Sequence, residues 1–166
     1  MQFKHSQKID APAEYVFTHI TDFKKFENHS GPTGFSFKRQ GRLPVRIGTR
    51  WDISVPVRGR PRRFSAELSE YIPSRTLSYK SASLKYEGVM SLTIKPLDAT
   101  SCRLDLQVVA KSRSFATSLV FNTIRLARRR INKRMNSEMG KFAKRLAKDY
   151  RANASYPTDL RKPSIG

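Results

Sequence analysis

The sequence predicts an α+β domain in which one β-sheet is covered by a long C-terminal helix. Most of the segments between residues 35 and 110 alternate apolar and polar side chains, as half-buried strands do, and a further strand opens the chain. Apolar residues then recur every three or four positions as far as residue 146, which is typical of an amphipathic helix. A sheet with one apolar face needs a cover, and this helix supplies it.

The elements follow one another without any internal repeat. The opening strand leads into two short helices, and six strands then lead into the long helix. The segments that indicate them are MQFKHSQKI for the first strand, DAPAEYVFTHI and TDFKKFEN for the two helices, and FSFKRQ, GTRWDISVPV, RRFSAELSEYI, LSYKSAS, YEGVMSLTIK and SCRLDLQVVA for the six strands. RGRP at residues 58–61 is predicted to form a hairpin tip.

The last element is predicted to be one continuous helix that includes residues 121–151. One side of it carries an apolar stripe, which we interpret as core, and the other side carries most of its Arg and Lys residues. The stripe consists of Val120, Ile124, Ala127, Ile131, Met135, Met139, Phe142 and Leu146. Periodicity ends near residue 154. We therefore expect one domain over residues 1–153 and a flexible tail over residues 154–166.

The formal net charge of +20 is concentrated in two segments. Residues 38–63 hold nine basic side chains and one acidic one, and residues 111–151 hold thirteen basic and two acidic. The two intervening stretches, 1–37 and 64–110, are neutral overall. Charge of one sign gathered in this way indicates a polyanionic partner, either nucleic acid or an anionic membrane face. A purely solubilising coat is the alternative.

Other features of the sequence indicate where in the cell the protein is expected. No apolar run approaches the ~20 residues of a membrane span, and the N-terminal segment lacks the apolar centre of a signal peptide. The single cysteine, Cys102, has no internal partner for a disulfide. The expected location is therefore cytoplasmic, with a peripheral position at the inner membrane face as a further possibility.

The pattern of elements resembles a known family. KIDAPAEYVFTHITDFKKFE is similar to the opening of the START-like, or SRPBCC, superfamily, which includes the polyketide cyclase/dehydrase and lipid transport proteins and the birch-pollen-allergen proteins. The strands that follow match that family in order and spacing, and the resemblance covers residues 2–150. It implies a helix-grip fold, in which an antiparallel sheet wraps around the C-terminal helix. It also implies an apolar cavity between them for a lipid, quinone or polyketide-like molecule.

The predicted cavity walls are the apolar residues that alternation turns inward, together with two polar residues that share this face. His5 could orient a ligand carbonyl or act as an acid or base, although a strand histidine is more often an ordinary core residue. The predicted ligand-binding set is His5, Trp51, Ile53, Phe64, Leu68, Tyr79, Met90, Leu92, Leu106, Ile124, Ile131, Met135 and Met139. The sequence indicates no catalytic pair, no metal site and no cofactor.

The cationic segments are expected to dock on an anionic surface. The residues assigned to it are Arg58, Arg60, Arg62, Arg63, Arg125, Arg128, Arg129, Lys133 and Lys141. Base stacking requires exposed aromatic side chains among basic ones, and residues 122–149 contain only Phe142, which belongs to the stripe. The leading hypothesis is a binder or transporter of a hydrophobic small molecule that docks on an anionic membrane. Two alternatives remain open, a ribosome- or RNA-associated regulator and a small enzyme of the cyclase/dehydratase type.

Overall fold

A computed structural model describes residues 1–27, 36–42, 44–57, 60–82 and 84–154. Seven strands form one antiparallel sheet in the order β1-β7-β6-β5-β4-β3-β2, and the helices flank it. The predicted α+β helix-grip architecture is confirmed. Its elements are β1 (Gln2–Ile9), α1 (Ala13–Ile20), α2 (Phe23–Glu27), β2 (Ser36–Arg39), β3 (Arg50–Val57), β4 (Arg60–Ile72), β5 (Thr76–Ala82), β6 (Tyr86–Asp98), β7 (Ser101–Ser112), α3 (Phe115–Leu126) and α4 (Arg128–Ala154).

The strand register decides which side chains share the face that meets the helices. His5 on β1 pairs with Leu106 on β7, which pairs with Leu92 on β6. Leu92 in turn pairs with Leu77 on β5. Residues directly opposite one another point to the same side of a sheet, so these four side chains form one row across its inner face.

The protein has two hydrophobic cores, which meet at Leu92. The first joins β1, β6 and β7 to α1 and to the second half of α4, where Leu146 is buried. In the second core, Trp51 is fully buried on β3, and the rings of Phe23 and Phe37 each stack 5.5 Å from its indole. The indole Nε1 donates a 2.8 Å hydrogen bond to Glu27, so the second core also secures α2.

The prediction of one continuous helix over residues 121–151 is wrong in one respect. The helix is interrupted at Ala127, which separates α3 from α4. Backbone bonding persists on both sides, since the amide of Ala127 donates to Thr123 at 3.2 Å and that of Ile131 donates to Ala127 at 3.0 Å. The two helices follow different strands, because α3 packs against β7 and α4 packs against the edge strand β1. Ala127 lies where one set of contacts gives way to the other.

Because neighbouring strands run antiparallel, several strand ends lie at one end of the sheet. They are the end of β3, the start of β4, the end of β5, the start of β6 and the junction from β7 to α3. The start of β1 lies there too, and Arg128, at the beginning of α4, reaches the Phe3 ring of this strand at 5.9 Å. We call this end the α3 end. Part of the predicted hairpin tip at 58–61, and the predicted tail from residue 155 onward, fall outside the described residues.

Candidate functional site: a partly uncovered apolar face

The inner face of the sheet is covered unevenly by the C-terminal helices. The buried side chains of α4 all belong to its second half, at Ala143, Leu146 and Ala147. In the first half of α4, Ile131 and Met135 are only half-buried although they lie on the apolar stripe. Because α4 packs along the edge strand β1, its first half leaves the middle of the sheet incompletely covered.

The sheet residues that face this opening are also incompletely buried. Leu92 and Leu106 are half-buried, and Met90 is 36 % exposed. Met90 pairs with Val108, which pairs with Phe3 on β1, so it lies on the same inner face. We call this region the uncovered strip and define it by its half-exposed apolar side chains on the sheet and helices: Met90, Leu92, Leu106, Ile124, Ile131 and Met135.

The structure separates the other predicted ligand residues from the strip. Trp51 and Leu68 are fully buried in the second core, where neighbouring side chains already occupy their surfaces. Tyr79 is buried in the same core, and this burial raises the pKa of its phenol. Ile53 and Phe64 are paired across β3 and β4 and are half-buried. Met139 packs against the first core and so lies at the closed end of the helix stripe.

His5 lies at the β1 margin of the strip. Its side chain is 7 % exposed, and its Nδ1 lies 2.8 Å from Oδ1 of Asn136 on α4. Within the described part of the chain, His5 Nε2 and Asn132 Oδ1 are buried and have no hydrogen-bond partner. The sequence analysis missed both asparagines. The signal available in the sequence was their spacing of four residues. This spacing places both asparagines on one face of α4, which is the face that meets His5.

An open cleft of about 500 Å³ continues from this point between β1 and α4. It begins one step beyond the His5–Asn136 contact, at Gln7 on the strand and Gly140 on the helix. Asp10 lies 3.5 Å from both Lys8 and Arg151 at the far end. Basic and polar side chains form much of its lining, which distinguishes it from the apolar strip: Gln7, Lys8, Asp10, Gly140, Ala143, Lys144, Ala147, Lys148 and Arg151.

Most of the predicted docking residues lie on the surface. Arg128 stacks over Phe3, and Lys141 pairs with Glu138 at 2.9 Å. Arg58 lies outside the described residues, as does the side chain of Arg60. The exposed members of the predicted set are Arg62, Arg63, Arg125, Arg128, Arg129, Lys133 and Lys141. Those on β4 and those near the α3–α4 break lie at the α3 end, so this end holds part of each cationic segment. Arg39 and Arg50, from the first segment, lie at the other end of the sheet.

Helix α3 is an apolar helix without a buried side chain. All of its residues are described, and none is buried. Phe115 is 82 % exposed and Leu126 is 90 % exposed, with Leu119 between them on the same face. Ile124 and Phe121 lie toward the opposite side, and Ser118 and Arg125 form a polar sector between the two apolar faces. The face with Phe115, Leu119 and Leu126 is therefore a contiguous exposed apolar surface, which typically marks an interaction site with protein or membrane.

Comparison with known proteins identifies the family. The model of the family described as polyketide cyclase / dehydrase and lipid transport matches residues 1–147. The chain belongs to this family. Its fold is therefore one that binds hydrophobic ligands. No curated protein sequence matches the chain significantly.

Solved structures show the same fold at low sequence identity. A norcoclaurine synthase point mutant from Thalictrum flavum is 13% identical and has a TM-score of 0.64, with 91% of this chain and 96% of that one covered. The Zhui aromatase/cyclase from Streptomyces sp. R1128 is 18% identical, with a TM-score of 0.55 and 69% of each chain covered. A protein from Thermus thermophilus is 18% identical, with a TM-score of 0.60 and coverages of 93% and 100%.

Two further observations concern membranes and metals. Among the described helices, none combines the length and the hydropathy that a bilayer-spanning segment requires. Over the ranges that the structure describes, the His, Cys, Asp and Glu side chains form no group of three that could hold a metal ion.

Proposed function

We propose that this protein binds a hydrophobic small molecule, of the lipid, quinone or polyketide-like class, in the uncovered strip between the sheet and the C-terminal helices. The uncovered strip itself carries the proposal. Six apolar side chains of the sheet and the helices lie there without being fully buried. An apolar ligand in this space would remove that surface from water, which is worth roughly 25 cal/mol for each Å² covered.

We further propose that the α3 end docks on an anionic membrane, where the ligand enters and leaves. The cationic residues there would attract an anionic leaflet, at about 1 kcal/mol for each Lys or Arg near the surface. Nucleic acid phosphates offer the same attraction but no apolar phase. The exposed apolar side chains of α3, Phe115 and Leu126 among them, favour lipid as the partner.

The cleft at the helix break supports the same orientation. It has a volume of about 370 Å³ and is lined by Thr123, Leu126, Ala127, Arg129 and Arg130. Two guanidinium groups beside an apolar side chain match the boundary between lipid headgroups and acyl chains. In this orientation Met90, near the start of β6, also lies toward the bilayer. The uncovered strip would therefore open toward the membrane.

Ligand binding is tested by native mass spectrometry of the protein purified gently from its own cells, followed by organic extraction. A stoichiometric lipid, quinone or polyketide-like molecule is the expected result. A protein that carries RNA fragments and no apolar molecule would contradict the proposal and favour the ribosome- or RNA-associated alternative.

Membrane docking is tested by replacing Arg128, Arg129 and Lys133 with Glu. Loss of three attractions of about 1 kcal/mol each should weaken binding to phosphatidylserine-rich vesicles more than 100-fold. Replacing Lys24, Lys25 and Arg75 with Glu changes the net charge equally at exposed positions outside the proposed surface, and this control should bind more tightly than the first variant. Equal sedimentation of the two variants would show that net charge, rather than this surface, governs the binding.

A further inference from the structure

The hydrogen bond of His5 fixes which atoms of its ring are free to bind. Nδ1 of His5 lies 2.8 Å from Oδ1 of Asn136. An amide oxygen only accepts hydrogen bonds, so the proton of the neutral ring is on Nδ1, which donates it. Nε2 then presents a lone pair. Within the described residues this buried atom has no donor facing it.

A second acceptor lies on the neighbouring turn of α4. Asn132 precedes Asn136 by four residues and therefore lies on the same face of the helix. Its Oδ1 is also buried and has no partner among the described residues. Buried polar atoms in folded proteins nearly always have a hydrogen-bond partner. Two acceptors left without donors at one helix–strand contact therefore indicate a site that a donor completes.

The surroundings of these acceptors connect them to the uncovered strip. His5 pairs with Leu106, and Leu106 pairs with Leu92, so a row of the inner face begins at His5 and continues into the strip. On the helix side, Met135 directly precedes Asn136 and is half-buried. Apolar sites commonly hold a few polar groups that orient the ligand.

We infer that His5 Nε2 and Asn132 Oδ1 form the polar anchor of the ligand site and that this anchor selects a hydroxyl group. The inference rests on the proposed function, since it assumes that the strip holds a ligand. A phenol or alcohol has one proton, so it donates to one of these two acceptors at a time. A ketone or quinone oxygen has no proton to donate to either acceptor, so the anchor disfavours it. The ligand class is thus narrowed to hydroxyl-bearing apolar molecules, with a hydroquinone preferred to its quinone.

The test compares two probes of nearly equal shape, 1-naphthol and 1-fluoronaphthalene. Only the first has a donor. Binding is measured by titration of each probe against the full chain in vesicle-free buffer. The wild-type protein is expected to prefer 1-naphthol by about tenfold or more, because a site built for a hydroxyl rejects an analogue that lacks it.

Two substitutions remove the acceptors singly, His5→Phe and Asn132→Leu. The single hydroxyl proton uses one acceptor at a time, and the imidazole nitrogen is the stronger acceptor, so His5→Phe should lower the affinity for 1-naphthol about tenfold and Asn132→Leu should lower it less. Both variants should keep the affinity for 1-fluoronaphthalene within about twofold, since the apolar walls remain. The second probe also reports folding, because a variant that fails to fold loses both. Matched controls, His19→Phe on α1 and Asn122→Leu on α3, should keep the wild-type preference.

The ring nitrogens of His5 give an independent reading by ¹⁵N NMR. The neutral ring should carry its proton on Nδ1, and the Nε2 signal should move toward that of a hydrogen-bonded nitrogen when 1-naphthol is added, but not with 1-fluoronaphthalene.

Each remaining outcome is decisive. Equal wild-type affinity for the two probes would overturn the anchor and leave the apolar site standing. Failure of both probes to bind would overturn the proposed function and the anchor with it. A preference that survives in both His5→Phe and Asn132→Leu would show that other groups hold the hydroxyl.

Discussion

The exposed face of α3 allows the membrane hypothesis to be tested without altering any charge. The perturbation is the double substitution of Phe115 and Leu126 by Ser. These side chains are 82 % and 90 % exposed, so nearly all of their apolar surface is available for transfer into lipid. Full transfer of a Phe or Leu side chain contributes about 1.5–3 kcal/mol, which gives roughly 3–5 kcal/mol for the pair. Vesicle affinity should therefore fall at least about 100-fold.

The assay is co-sedimentation with phosphatidylserine-rich vesicles at one ionic strength. A second apolar pair at the opposite end of the sheet, Ile72 and Leu97, is 41 % and 51 % exposed and serves as the control when both are changed to Ser. Fluorescence of Trp51, the one tryptophan of the chain, monitors unfolding in urea. Stability of the α3 variant should stay within about 0.5 kcal/mol of wild type, because neither side chain is buried. Unchanged vesicle affinity, or an equal loss in the control pair, would refute the reasoning.

Two further predictions concern the fold. Leu146→Ala should lower the free energy of unfolding by about 2–5 kcal/mol, because the side chain is buried in the first core. Leu119→Ala, on the exposed face of α3, should lower it by less than about 0.5 kcal/mol. Similar urea midpoints for the two variants would contradict the assignment of the core. Asp98 accepts hydrogen bonds from Ser101 and Thr100 in the β6–β7 turn, and these lower its pKa to about 2, below the value of about 3.9 in unfolded chains. The contribution of Asp98 to stability is therefore fully present above pH ~4 and is lost as the pH falls through about 2. The difference in urea midpoint between wild type and Asp98→Asn should shrink over that range. A difference that stays constant with pH would contradict this explanation.

Side-chain alternation made the sheet predictable, and tertiary contacts decided what was not. His5 could be placed on the inner face from the pattern of β1 alone. The break at Ala127 has no local signal, since neither Pro nor Gly lies there and Ala and Arg both favour helix. It coincides with the change of packing partner, since α3 packs against β7 and α4 against β1. The uncovered strip could not be predicted from the sequence either. Periodicity shows which side of an element faces inward, but it does not show how closely two layers approach.

The asparagines illustrate a different limit. Asn132 and Asn136 lie among basic residues and outside the apolar stripe, so a pattern based on hydrophobicity assigns them to the solvated side of the helix. The contact of Asn136 with His5 becomes visible only when the strand partner is known. Trp51 and Leu68 show the converse, because their alternation correctly placed them inward but could not distinguish a filled core from a ligand wall.

The junction at Ala127 concentrates charge of one sign. Backbone hydrogen bonds continue across it, so the negative dipole end of α3 offsets the positive dipole end of α4. Arg128, Arg129 and Arg130 occupy the first turn of α4, which contains no acidic residue. These neighbouring cations repel one another, so the isolated protein holds an unfavourable concentration of positive potential at one point. Any anion that settles there relieves it, and added salt should stabilise α4 by screening the same repulsion.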